Sequence, residues 1–324
     1  MYSIEKLQEV FSNYLSEQKF PAEPVELYTP NQYFLGIGGK RIRPAMALLG
    51  ANLYTNNIEE TLPIAMSVEL FHNFTLIHDD VMDNASLRRG FKTIHEKYNL
   101  NTAILSGDVL LIMAYNYLGQ CKTKHLSVLF QILNKTAIEV CEGQQWDMNY
   151  AEKPVITIAE YIEMIRLKTS VLLAASLQMG AIQGGANVDD SHLLYQYALN
   201  LGIAFQIQDD FLDAFGDPKK VGKTIGGDIL ENKKTILLIR AVEISELNND
   251  DTLRNILSEK NFHPGDKISR VMDIFSEYKI ADFAIAQREH YVKLSLDYLK
   301  QVNLPQEKKQ ILESLVTMLV YRTY

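Results

Sequence analysis

The chain has 324 residues, 47% of them hydrophobic, with 40 acidic against 32 basic side chains and a net charge of −8. That balance excludes nucleic acid as the main partner, because a phosphate backbone needs a basic surface. Small phosphorylated substrates stay open, since local cations and bound metal override the global sign. Only Cys121 and Cys141 are present, which excludes a disulfide framework and a cysteine-rich zinc site.

Apolar residues recur at helical spacing, and nothing alternates as a strand would. The pattern predicts helices over 4–15, 44–54, 63–83, 103–121, 126–150, 158–181, 193–214, 229–244, 252–257, 266–278, 281–302 and 308–321. A turn is expected at 34–39, Pro44 suits the first turn of the helix that follows, and 84–90 reads as a polar loop. Gly216-Asp217-Pro218 stops the helix of 193–214. With no linker, low-complexity tract or solenoid period, the expectation is one all-α domain, a single large helical bundle over 1–324. The N-terminus is charged and amphipathic, without a signal peptide's apolar core. No apolar run reaches the roughly 20 residues that span a bilayer. A soluble, cytoplasmic chain with no stable membrane insertion is therefore expected.

The chemistry lies in a carboxylate cluster that occurs twice, Asp79-Asp80-Val81-Met82-Asp83 and Asp209-Asp210-Phe211-Leu212-Asp213. Each copy ends an apolar helical stretch, 71–77 and 201–207, and each is followed by a basic segment. On a helix the first and last Asp of a copy are i and i+4 and share a face. Like charges at that spacing repel, and the dipole at a helix C-terminus makes them worse. Folding gains nothing from this arrangement. A hard divalent cation such as Mg²⁺, which takes oxygen ligands and keeps waters and substrate phosphates, gains a great deal.

Cations flank the clusters. Gly38-Gly39-Lys40-Arg41-Ile42-Arg43-Pro44 is a flexible turn with three cations at a helix entrance, suited to an anion. Arg88-Arg89-Gly90 follows the first cluster, and a guanidinium grips phosphate oxygens bidentately. Lys168-Thr169 falls inside an apolar stretch, and Phe205-Gln206 precedes the second cluster. Gly222-Lys223-Thr224 looks like the tail of a P-loop. Gly216 stands one residue too far back and no strand precedes it, so that reading fails. Glu69-Leu70-Phe71-His72 has the Glu-x-x-His form of di-iron bundles, but those sites need two such motifs and two more glutamates.

Taken together, these motifs, from Gly38 to about Lys234 and in this order, resemble the trans-isoprenyl diphosphate synthases, the family of farnesyl and geranylgeranyl diphosphate synthases. The resemblance implies an all-α fold around a central apolar cavity and Mg²⁺ held by Asp79, Asp83 and Asp209. It implies that Lys40, Arg43, His72 and Arg89 hold isopentenyl diphosphate, and that Arg88, Lys223 and Lys233 hold a C5 to C15 allylic diphosphate. Lys168, Thr169 and Gln206 would stand beside the ionising allylic carbon, with Gln144 and Asp147 facing the same site, and the family is generally homodimeric. The cation must be kept from water, so a closed apolar cavity is a chemical requirement.

Product length should follow cavity depth. Phe74 occupies the fifth position before the first Asp, where an aromatic side chain limits the chain in this family. The helix face alone instead selects Phe71, eight residues before Asp79. C20 or C15 products are expected, with C20 ahead. Two rival readings remain: a class I terpene cyclase, which would replace the second cluster, and a non-catalytic partner subunit, which would be expected to have lost carboxylates or the Arg pair. Both clusters and both arginines are present.

Overall fold

A computed structural model describes residues 1–217 and 226–321. Helices α1 (Ile4–Glu17), α2 (Val25–Gly36), α3 (Ile42–Asn52) and α4 (Leu62–Met82) lead to a hairpin, β1 (Leu87–Arg88) and β2 (Phe91–Lys92). Then come α5 (Ile94–Lys97), α6 (Leu100–Gly119), α7 (Leu126–Glu152) and α8 (Ile158–Ile165). A π turn, Arg166–Ser170, joins α8 to α9 (Val171–Gly184), and α10 (Val188–Phe215) follows. The remainder is α11 (Gly227–Leu230), α12 (Ile236–Leu247), α13 (Thr252–Ser258), α14 (Pro264–Glu277), α15 (Ile280–Gln301) and α16 (Gln306–Val320). The all-α expectation holds; among the described residues the strands amount to one two-residue hairpin.

The chain forms two compact units. The first comprises Met1–Ala137, Leu172–Tyr195 and Val302–Lys308, the second Ile138–Val171, Gln196–Gln301 and Lys309–Tyr324.

In the first unit α1 starts at Ser3, whose side chain accepts from Lys6 N, and it buries Ile4, Leu7 and Phe11 on one stripe. Residues Pro44 to Asn52 of α3 are buried on every side, as an apolar-all-round helix requires. Helix α6, capped by Asn99, packs along α4 and turns Ala103, Gly107, Leu110, Ala114 and Leu118 inward. By length and composition α6 alone among the described helices suffices to cross a membrane. It carries Asp108, and its inward stripe packs within the unit.

The second unit buries Tyr161, Ile207, Ile236, Leu237, Phe275 and Ile280 in one core, each large side chain stabilising by about 1.5–3 kcal/mol. A capping box of Thr157 and Glu160 starts α8, and Thr235 caps α12. Tyr197 donates to Leu312 O at 2.7 Å and Ser295 to Tyr197 O at 2.8 Å, tying α10 to α16 and α15.

Four local features differ from the sequence expectation. Helix α2 forms around Pro30 ahead of the expected turn, and the polar loop folds into the hairpin. The helix expected over 158–181 is divided by the π turn, and that over 229–244 by a turn at Asn232, whose φ is +53°.

Candidate active site

The first unit holds one group of candidate residues. Helix α4 ends in the first carboxylate cluster, and Asp83, its C-cap, donates its N–H to Asp79 O at 2.8 Å. The three carboxylates have different surroundings. Asp80 is 1% exposed and takes Arg88 as a fork: Nε lies 2.8 and 2.9 Å from its two oxygens, and an Nη lies 2.7 Å from Oδ1. Burial holds the Asp80 carboxyl above its ordinary range, against the pull of Arg88. Asp79 is half-buried and Asp83 exposed.

The pair pins the hairpin to α4. Both residues of its turn have positive φ, Arg89 at +53° and Gly90 at +81°, the two-residue turn that matches strand twist. Arg89 reaches back and donates to Gly38 O. Its guanidinium fills the space beside Gly39, where an added Cβ would lie 2.5 Å from Nη1. Gly39 itself holds φ +144°, a backbone conformation that side chains strain.

A cluster of guanidiniums results. Arg43 Nη1 lies 3.1 Å from His72 Nε2. Arginine only donates, so this contact requires a neutral imidazole with its proton on Nδ1. Burial, then Arg43, Arg89, Arg88 and Arg41, pushes the His72 pKa well below its ordinary value. Burial with Arg89 lowers Arg43 to about 10 despite Glu69. Burial, Arg41 and Arg88 lower Arg89 too. Arg43 Nε is buried with no hydrogen-bond partner among the described residues, a donor directed at nothing the protein supplies. Lys40, at the turn, is exposed, and its carbonyl accepts from Gln8.

The third cation of the turn does something else. Arg41 has φ +48°, which turns it inward onto Glu69 and, at 2.6 Å, Leu35 O. Glu69 also accepts from Asn73 Nδ2 at 2.9 Å. The acid of the di-iron lookalike is thus the buried counter-ion of the turn. Phe71 is wholly buried, and Phe74 stands half-buried, edge-on to it at 5.6 Å.

His72 gives a pH test. Below about pH 6.5 an unfolded histidine takes up a proton that the folded His72 refuses. Stability should fall as pH drops towards about 5, by up to about 1.4 kcal/mol per pH unit. Urea titrations across that range measure it, and His72→Gln should flatten the dependence. An equally steep fall in the variant would assign it elsewhere.

The second unit holds a separate group of candidate residues. Asp210, 4% exposed, accepts from Tyr161 Oη at 2.6 Å and Gln206 Nε2 at 3.1 Å. Burial, then Asp228, pushes its carboxyl up to about 6. As in the first cluster, the middle carboxylate is built into the fold, while Asp209 and Asp213 are half-buried. Asp213 Oδ2 accepts from Asp228 N at 3.0 Å.

The π turn carries Lys168 and Thr169, and such bulges re-aim side chains within a helix. Lys168 Nζ lies 2.6 Å from Asp147 Oδ2, and Thr169 Oγ1 lies 3.4 Å from Gln206 Oε1. The turn packs against Gly143 of α7, where a Cβ would lie 2.3 Å from Lys168 N. Gln144, beside it, is buried. Lys233 Nζ lies 3.5 Å from Asp228 Oδ1 with its side chain 50% exposed. Burial works against its charge, but Asp228, Asp210 and Asp147 prevail and hold its pKa above the ordinary lysine value. Lys223 lies outside the described residues.

Sequence reasoning missed Arg41–Glu69, Tyr161–Asp210 and the Arg88–Asp80 fork. The available signal was each acid's place in an apolar helix, where a carboxylate needs a partner.

The donor set suits a hard divalent cation. It consists of carboxylate oxygens, and no cage of three or more acidic, histidine or cysteine side chains forms among the described residues.

The sequence matches the family model for polyprenyl synthetase over residues 24–275. It is 38% identical over 335 residues to a short chain isoprenyl diphosphate synthase of Methanocaldococcus jannaschii, covering 99% of this chain and 95% of that one. A crystal structure of a geranylgeranyl pyrophosphate synthase superposes with a TM-score of 0.94 at 38% identity, covering 100% of both chains. A polyprenyl synthase of Caulobacter crescentus, solved with calcium and isoprenyl diphosphate, gives a TM-score of 0.85 at 26% identity over 99% of this chain and 98% of that one. With its two Asp clusters and phosphate-suited cations, the chain is a prenyltransferase of the polyprenyl synthetase family.

Proposed function

We propose that the chain joins isopentenyl diphosphate to an allylic diphosphate and makes geranylgeranyl diphosphate (C20), with farnesyl diphosphate (C15) as the shorter alternative. The observation that carries the reading is the buried, unpartnered Arg43 Nε among Arg89 and His72. His72 stands seven positions before Asp79 on α4, so the cations gathered at His72 stand roughly 10 Å along the helix from the carboxylates.

In this reading Lys40, Arg43, His72 and Arg89 hold isopentenyl diphosphate, while Arg88, Lys168, Lys223 and Lys233 gather the allylic diphosphate. The Arg88–Asp80 and Lys168–Asp147 pairs support it, because each cation arrives already oriented. Thr169 Oγ1 and Gln206 Oε1 offer two oxygens to the allylic cation without trapping it. Mg²⁺, when bound through Asp79, Asp83 and Asp209, supplies Lewis-acid neutralisation of the leaving diphosphate. The allylic C1–O bond breaks, C4 of isopentenyl diphosphate bonds to C1, and a C2 proton leaves with the diphosphate. The family match runs through both units and supports a single functional domain.

A homodimer is part of the proposal. Leu105 and Ile112 of α6 are 58% and 66% exposed, apolar surface that a second copy would cover, and sedimentation measures it. A cytoplasmic location is also part of the proposal.

Radiolabelled isopentenyl diphosphate with Mg²⁺ and C5, C10 or C15 primers tests the function. C20 product from the C15 primer supports it; a stop at C15 or a run to C25 would revise the product. Turnover of an allylic diphosphate alone would mean a cyclase, and no incorporation a partner subunit. Phe71→Ala with Phe74→Ala should lengthen the product by at least one C5 unit. Phe71→Ala alone should cost about 3–5 kcal/mol because Phe71 is fully buried, so Phe74→Ala is the cleaner single variant. Unchanged chromatograms of the dephosphorylated products would remove the pair as the cavity floor.

A further inference from the structure

Lys267 of α14 is among the largest fully buried side chains, at 1% exposure. Its Nζ donates to Leu230 O at 3.2 Å and to Asn232 Oδ1 at 2.8 Å, and it lies 4.3 Å from the Phe262 ring centroid. The groups it touches are neutral, a carbonyl, an amide and an aromatic face, while Glu259, the acid that acts on it, is held by both Nη atoms of Arg270 at 2.8 and 2.9 Å. Burying an ammonium on such partners costs folding free energy, because hydration is lost without a full counter-charge in return. An apolar residue of the same length would fill the volume at less cost.

The two oxygens it binds belong to one short turn. Leu230 ends α11, and Asn232 holds φ +53° while its Nδ2 donates to Leu257 O at 3.0 Å. The start of the same turn hangs on the second carboxylate cluster: Gly226 N donates to Asp213 O at 2.7 Å and Asp228 N to Asp213 Oδ2 at 3.0 Å. Lys233 comes next, its N–H on Asp228 O at 2.9 Å and its ammonium 3.5 Å from the Asp228 carboxylate. The turn is thus fixed at one end by Asp213 and at the other by Lys267.

We propose that Lys267 is a positioning residue for the allylic diphosphate site: by clamping the Leu230–Asn232 turn from inside, it sets where the Lys233 ammonium stands. The inference rests on the proposed contact between Lys233 and the allylic diphosphate. It adds a residue on another helix that touches no substrate and controls the affinity for one of two.

Lys267→Met tests it, with Asn232→Gly breaking the same contact from the other side while keeping the left-handed backbone. Both should raise KM for the allylic primer about 5- to 20-fold and leave KM for isopentenyl diphosphate within about twofold. Lys267→Met should melt no lower than the parent, whereas a merely structural lysine would lower the melting temperature and leave the ratio of the two KM values unmoved. Lys267→Arg should restore part of the allylic affinity. Combining Lys267→Met with Lys233→Ala should cost no more than Lys233→Ala alone. A raised allylic KM in Lys233→Ala with unchanged KM in both Lys267→Met and Asn232→Gly overturns the inference and leaves the Lys233 assignment standing. An unchanged allylic KM in Lys233→Ala overturns that assignment, and the inference with it.

Discussion

Asp79→Ala should lower turnover by about 10³-fold while the melting temperature stays level or rises. The two halves of that expectation have one origin. Asp79 and Asp83 lie i and i+4 at the end of α4, where backbone carbonyls already present negative charge. Each carboxylate there costs the helix about 0.3–1 kcal/mol, and their mutual repulsion adds a few tenths. Removing one relieves folding. It also removes an oxygen ligand of the proposed divalent cation, where a well-placed charge stabilises the departing diphosphate by several kcal/mol. Label incorporation at saturating Mg²⁺, beside a thermal melt with and without the metal, reads both. Full activity in Asp79→Ala would refute the metal assignment, and loss of the fold would refute the claim that the carboxylate costs stability.

Glu69→Ala should be among the most destabilising single changes in the first unit, at about 3–5 kcal/mol. Arg41 is turned inward with its side chain 9% exposed, against a Glu69 side chain 4% exposed. Truncating the acid strands that guanidinium in the interior, removes the Asn73 acceptor and leaves Arg43 and Arg89 without their shared negative neighbour. The turn bearing Lys40 and Arg43 should loosen, and KM for isopentenyl diphosphate should rise. Replacing both partners with Met should be milder than Glu69→Ala, since desolvating a pair often costs as much as the pair returns. Urea denaturation of the parent, Glu69→Ala and the double variant decides it; a double variant less stable than Glu69→Ala would show that the two residues do not act as a pair.

Much of this was legible in the sequence where period and chemistry coincide. The apolar repeats gave α1, α4, α7 and α10 to within a few residues, and the doubled Asp clusters fall where expected, near the ends of α4 and α10. Features set by single backbone angles were not legible. Helix α2 carries Pro30 in its second turn, where the missing N–H leaves the carbonyl of Glu26 without its helical donor and reads as a break, yet the helix runs on to Gly36. The hairpin rests on two-residue strands, too short for alternation to register. Nothing in Arg166-Leu167-Lys168-Thr169-Ser170 announces a π turn, because its cause is packing against Gly143 and Gly202. Arg41 counts with Lys40 and Arg43 in any tally of cations, and only its φ of +48° separates a buried strut from a ligand.

In both carboxylate clusters the middle Asp turns away from its neighbours into a dedicated partner, Arg88 for Asp80 and Tyr161 for Asp210. For anyone grafting this chemistry onto an idealised helical scaffold, the portable unit is therefore larger than the five-residue motif. Copied alone, each motif would bring a buried acid with nothing to receive it, and the scaffold would bend or repack to free it. Copied with its arginine or tyrosine, the graft carries its own foundation.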